Sequence, residues 1–289
     1  MGLWFYYAVG AAIFAALTTI LAKIGLQDID SHVATAARTF VVLIFAWIMV
    51  LIVDSQNNIA TIATRTWVFL ILSGLSTGAS WLCYFYALKI GSVNKVVPID
   101  KSSTIITMLL AFIFLSEPFG IYTAVGMLLM AVGTWLMLDL KQEKAKKTGQ
   151  SWLVFALLSA LFASLTAIFG SIGIADIEAN LGTAIRTTVV LPLTFVMLFL
   201  TKGNKRIGNI TKKSLFFLLI SGIATGASWL LFYHALQLGN ASQVVPIDKL
   251  SILFTMTFAA FFLKEKFSAK TLSGLALLTI GTLLPILLF

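Results

Sequence analysis

Apolar runs of about twenty residues, each closed by a short polar or glycine-containing break, recur along the whole chain. At about 20 apolar residues per crossing, they predict membrane helices over about 3–22, 33–53, 66–88, 93–115 and 120–138, and again over about 151–170, 181–200, 214–236, 241–263 and 270–288. The fold class expected is therefore all-α and integral to the membrane, with ten transmembrane helices. The stretch from Met1 to Tyr7 runs into apolar sequence with no basic leader region and reads as a first helix that is kept. One segment is strongly polar, from Asp139 to Gln150, and reads as a solvated connector.

The pattern repeats. Shifting the chain by 148 positions aligns its halves without a gap. Gly78-Ala79-Ser80-Trp81-Leu82 returns as Gly226-Ala227-Ser228-Trp229-Leu230, and Val96-Val97-Pro98-Ile99-Asp100-Lys101 as Val244-Val245-Pro246-Ile247-Asp248-Lys249. Thr18/Thr166, Arg38/Arg186, Glu117/Glu265, Gly126/Gly274 and Gly133/Gly281 keep the same register. Roughly 40% of paired positions are identical, well above chance. The expected organisation is a first five-helix unit over 1–140, a cytoplasmic linker over 141–150 and a second unit over 151–289. Five crossings is an odd number, so a gapless repeat predicts that the second unit enters the membrane upside down.

Charge agrees with that expectation. Cytoplasmic loops carry the excess of Lys and Arg, so equivalent loops on opposite faces should differ in basic residues. The loop around Arg65 has no other basic residue, while its twin carries Lys202, Lys205, Arg206, Lys212 and Lys213. With the linker included, fifteen basic residues fall on one face and one on the other, leaving Arg38, Lys101, Arg186 and Lys249 inside helices. Both termini are expected on the non-cytoplasmic side of an inner, cytoplasmic membrane.

Composition narrows the functions open to the chain. It has 289 residues, 60% hydrophobic and 11% charged, with a formal charge of +9 and a mean hydropathy of +1.01. No room remains for a catalytic domain outside the bilayer, and the positive charge reports loop orientation rather than nucleic acid. A single cysteine, Cys83, forbids an intrachain disulfide. No phosphate-cradling Gly-Lys loop, metal spacing or nucleophile grouping is visible, so neither enzyme activity nor a cofactor nor a metal is expected.

At this point the chain resembles the drug/metabolite transporter superfamily, of the EamA type with ten helices in two five-helix repeats. The resemblance rests on the small-residue turns Ala87-Leu88-Lys89-Ile90-Gly91-Ser92 and Ala235-Leu236-Gln237-Leu238-Gly239-Asn240, on the proline and Ser/Thr-rich sequence that follow, and on Phe114-Leu115-Ser116-Glu117 and Phe262-Leu263-Lys264-Glu265. It is also similar to single-repeat members of that superfamily, as if an antiparallel pair were fused. It implies a transporter fold and leaves the substrate open.

Six ionisable residues lie within the predicted spans, and such residues normally face a bundle interior. Arg38, Asp100 and Lys101 sit about 10–12 Å below one surface at 1.5 Å per residue; Arg186, Asp248 and Lys249 form the symmetric set toward the other. One reading makes each set half of a polar pathway in which substrate competes for the ion partners; the other makes each acid a permanent partner of a neighbouring base, with the arginines snorkelling. Each set has two bases and one acid, and the surplus positive charge favours an anionic or zwitterionic ligand. Asp100 and Asp248 are the candidates to carry a coupling proton. Pro98 and Pro246 precede the charges and are candidate hinges, with a plain first-turn proline as the alternative. Trp81, Tyr84, Tyr86, Trp229, Tyr233 and His234 lie at the depth of an interfacial aromatic belt; Trp81 and Trp229, the deepest, are candidates for an aromatic wall. Thr18 and Thr166 offer neutral hydrogen bonds to substrate or to their own helices.

The function expected is secondary active transport of a small polar metabolite by alternating access, as an exporter or exchanger, with protons or a counter-substrate as co-partner and the lipid bilayer as surroundings. A lipid-linked phosphate translocase, which would need a laterally open groove, and a non-transporting membrane scaffold are the rival readings. Monomer and homo-oligomer both remain open.

Overall fold

A computed structural model describes residues 2–25, 31–90, 96, 99–137, 151–200, 211–262, 264 and 267–287. Every regular element described is helical: α1 (Leu3–Gly25), α2 (Ser31–Ile52), a 3-10 helix (Ser55–Thr61), α3 (Thr64–Ile90), α4 (Ser103–Phe114), α5 (Ile121–Met137), α6 (Ser151–Ile174), α7 (Ala179–Leu200), α8 (Lys212–Leu238), α9 (Ala241–Lys249), α10 (Ser251–Phe262) and α11 (Ala269–Leu287). The linker over 141–150, Pro98 and Glu265 lie outside the described residues.

Eight described stretches are long and apolar enough to cross a membrane, and the fourth and fifth expected spans border residues outside the described ones, 91–95, 97–98 and 138–150. α5 is apolar, with 17 described residues. α4 has 12 and follows a tightened turn at Ser102, whose N–H and hydroxyl both reach the Ile99 carbonyl (3.1 and 2.6 Å). The same interruption occurs at the equivalent place in the second half. There Leu250 joins α9 to α10, and its N–H reaches Ile247 O at 2.9 Å, three residues back instead of four. Each break falls one residue after the Asp-Lys pair. Pro246, a candidate hinge, stands inside α9, and the interruption comes four residues later, at Leu250.

Packing pairs each half with the other. Ala8, Ala11, Ala12 and Ala16 give α1 a buried face without side-chain bulk, so α8 comes close enough for Ser221 Oγ and Ser228 Oγ to donate to Thr18 O (3.1 Å) and Ala11 O (2.9 Å). The equivalent contacts in the other half are Ser73 Oγ to Thr166 O (2.8 Å) and Ser80 Oγ to Ser159 O (3.0 Å), between α3 and α6. Both pairs run antiparallel, since the later residue of one helix meets the earlier residue of its partner.

Helices equivalent under the repeat also meet. A Cβ on Gly126 would stand 2.6 Å from Gly281 O, and one on Gly133 2.6 Å from Gly274 O, so α5 and α11 touch backbone to backbone and run antiparallel. α2 and α7 are antiparallel as well: Val33 and Ala36 pack with Leu198, while Trp47 Nε1 donates to Thr188 Oγ1 at 3.2 Å. The outer faces are apolar. On α2, Phe40, Ile44, Ile48 and Leu51 are exposed while Val42, Ala46 and Val50 are buried, the two-faced pattern of a helix between lipid and protein. The protein is an integral multi-pass membrane protein.

Candidate functional site

Two surfaces between the halves bear chemistry: a central cavity and a tied end. The cavity has a volume of about 320 Å³ and is walled by residues of α1, α3, α4, α6, α7, α8 and α9. Of the residues singled out from sequence, Trp81, Thr166, Arg186, Trp229, Asp248 and Lys249 line it. Arg38, Thr18, Asp100 and Lys101 do not.

Arg186 is its most constrained group. It is 2% exposed, and α7 aims it at α3, where Nε donates to Ser73 Oγ (3.2 Å) and Nη2 to Thr77 Oγ1 (2.6 Å). Its Cζ lies 4.7 Å from the ring centre of Tyr233 and 5.4 Å from that of Trp229, so two aromatic faces from α8 complete the cradle. Among the described residues no carboxylate stands within ion-pair distance of it. A buried guanidinium held by hydroxyls and rings beside a cavity has the chemistry to pair with a carboxylate or phosphate.

Asp248 and Lys249 share the cavity wall, with Lys249 Nζ 3.9 Å from Asp248 Oδ2. Three charged groups therefore face the space, two positive and one negative. Asp100 takes a different partner, Ser159 Oγ on α6, at 2.7 Å. Ser159 touches Ser80 of the cavity wall, so Asp100 reaches the space through two hydroxyls. Neither Arg38 nor Lys101 is within ion-pair distance of it among the described residues.

The two arginines are thus unequal. Arg38 is half-buried, and its Nε is buried without a hydrogen-bond partner. Thr225, the twin of Thr77, contacts Thr18 Oγ1 at 3.3 Å and Ser221 O at 2.7 Å; Thr77 meets Thr166 in the same way. The hydroxyl frame exists in both halves and only Arg186 is seated on it. Position 85, the twin of Tyr233, is Phe85, and its ring packs on His32 with centroids 4.6 Å apart. Tyr233 itself, expected in an interfacial belt, is 2% exposed and lies inside, because α8 packs against α1, α2 and α7 and turns this face inward.

The tied end carries Glu117 and Gln237, whose contacts were not expected from sequence, and His234, expected in the aromatic belt. Glu117, 7% exposed, accepts the backbone N–H of Ala241 (2.6 Å) and Ser242 (2.9 Å) and so caps α9 from the opposite half. Gln237 Nε2 donates to Ile174 O (3.0 Å) and Ile177 O (2.6 Å). His234 Nε2 stands 3.8 Å from Glu178 Oε1 and its ring 5.4 Å from that of Tyr7. Ser73 and Thr77 had a readable signal, an i,i+4 hydroxyl pair that recurs as Ser221 and Thr225. Glu117 recurs as Glu265, but its role as a cap depends on a contact between halves that no local pattern encodes.

The profile of the EamA-like transporter family matches residues 2–139 and, a second time, residues 150–287. An uncharacterized transporter from Sinorhizobium, encoded in the cobO 3′ region, is 43% identical over 135 residues, which are 47% of this chain and 96% of that one. An uncharacterized transporter from Archaeoglobus fulgidus is 24% identical over 277 residues, covering 96% of this chain and 95% of its own. A crystal structure of a protein 15% identical in sequence superposes with a TM-score of 0.76 over 97% of this chain and 96% of the other, a likeness of fold alone.

Proposed function

The chain belongs to the EamA-like transporter family, its two halves each matching the family, and from that premise we propose that it is a secondary active transporter of a small anionic or zwitterionic metabolite. The observation that carries this reading is Arg186: a cation buried beside a cavity, fixed by two hydroxyls and two rings, with no carboxylate partner among the described residues. Keeping such a charge out of water is costly unless an anion completes it. Asp248 and Lys249 on the same wall suit the ammonium and a second acidic group of a zwitterion or dianion.

In this reading the chain crosses the cytoplasmic membrane ten times as two inverted units, with both termini outside. The antiparallel meeting of α5 with α11 and of α2 with α7, which are equivalent under the repeat, supports the inversion. The 17 described residues of α5 belong to the fifth crossing, and α4 completes the fourth through the turn at Ser102. The tied end is the closed outer gate and the Asp248–Lys249 pair belongs to the closed half; Asp100, with no base within ion-pair distance among the described residues, belongs to the half facing the cytoplasm. Export or exchange follows from loading at that side, with Asp100 and Asp248 as the residues able to carry a coupling proton.

A thermal-shift panel of anionic, zwitterionic and cationic metabolites on the purified protein tests this, since a ligand at 100 times its Kd stabilises by about 2.7 kcal/mol. The expected result is a response to anions or zwitterions that disappears in Arg186→Gln. A response confined to cations refutes it.

A further inference from the structure

Beside the central cavity, a second and smaller space of about 110 Å³ lies between α4, α5, α10 and α11. Lys101 and Lys249, the repeat-related lysines, both line it; Thr104 and Thr134 add hydroxyls, and Met130 and Leu278 form an aliphatic wall. No acidic residue lines it among the described residues. The neighbouring carboxylates stand to the side of the space, Asp100 accepting from Ser159 and Asp248 on the central cavity with its Oδ2 3.9 Å from Lys249 Nζ. Two ammonium groups and two hydroxyls facing one space without an acid suit an anion.

The rim identifies where that anion comes from. Trp135 borders the space and is 56% exposed, on a face of α5 that also exposes Leu128 (65%) and Val132 (40%). In an integral membrane protein such a face meets acyl chains, so the space opens sideways into the bilayer, and an anion arriving there brings an aliphatic chain. Lys101 is itself exposed, and a charge within an apolar span is costly. We propose that this lateral pocket binds the phosphate headgroup of an anionic lipid between Lys101 and Lys249, with the acyl chain lying along α5 beside Trp135. The pocket lies beside the central cavity, shares Lys249 with it and no other described residue, and stands whether or not transport is as proposed.

The test uses the full-length protein in an uncharged maltoside detergent, with native mass spectrometry and thermal shift against phosphatidylglycerol, phosphatidylcholine and inorganic phosphate. The wild-type protein retains phosphatidylglycerol about tenfold over phosphatidylcholine, a difference of about 1.4 kcal/mol. The preference disappears in the double variant Lys101→Gln/Lys249→Gln, and also in Thr134→Leu, which fills the space and leaves both charges. Equal retention of the two lipids by the wild type, or a preference that survives in both variants, overturns the proposal. A lysine-dependent shift with inorganic phosphate alone and none with phosphatidylglycerol assigns a soluble anion and overturns the lipid source. The wild-type comparison is decisive even where a variant fails to fold.

Discussion

Arg186 and Arg38 occupy equivalent positions on equivalent helices, yet one is clamped and the other is not. The clamp uses geometry as well as charge: Nε and Nη2 reach different hydroxyls while the guanidinium plane lies over Tyr233 and Trp229. Arg186→Lys keeps the charge and loses the fork and the stacking, so ligand affinity in the thermal-shift panel is expected to fall at least about tenfold. Tyr233→Leu, which removes one ring at a cation–π contact worth about 0.5–2 kcal/mol, is expected to weaken the same ligands severalfold by isothermal titration, whereas Phe85→Leu leaves them unchanged. The buried charges were legible in the sequence as ionisable residues in apolar spans. Which arginine would be seated was not, since that depends on how Phe85 and Tyr233 turn once α3 and α8 have packed. The one trace was a run of four mismatches, positions 83–86 against 231–234, within a closely matched stretch.

Elements are held by close approach and by caps that cross between halves. α5 and α11 meet at glycines, and a methyl group on Gly133 would stand 2.6 Å from both Gly274 O and Leu278 N, backbone atoms that cannot rotate away. Gly133→Ala is expected to cost about 1–3 kcal/mol of unfolding free energy, read from denaturation in detergent. Glu117→Ala leaves two buried N–H groups at the start of α9 without an acceptor, an expected loss of about 1–3 kcal/mol by the same measurement. The residue before it, Ser116, has φ 53°, and its twin Lys264 has φ 54°. Ser116→Gly removes the left-handed penalty on a side-chain-bearing residue and is expected to raise stability by about 1 kcal/mol. Helix positions were largely legible from apolar run length, because a membrane span must satisfy its backbone internally. The interruptions at Ser102 and Leu250 were not, because an i to i−3 turn has no apolar signature.

At the scale of the whole molecule, opposed insertion of the halves makes a labelling prediction. In a Cys83→Ser background, Thr61→Cys is expected to react with a membrane-impermeant maleimide in intact cells and Lys144→Cys only after lysis; equal reactivity of both in intact cells refutes the proposed topology. The repeat was legible from the sequence at its full extent, as a single gapless offset, because equivalent positions face equivalent neighbours across the two-fold. Its departures were visible too, without their meaning. In a two-fold pair of identical chains, a single codon sets both half-sites, so a phenol gained beside one arginine is gained beside the other. Here positions 85 and 233 have separate codons, and the chain carries phenylalanine at one and tyrosine at the other. With both halves in one chain the two half-sites can vary independently, so a mutation scan over both halves should find tolerance that differs between twins at 85 and 233 and agrees at 81 and 229.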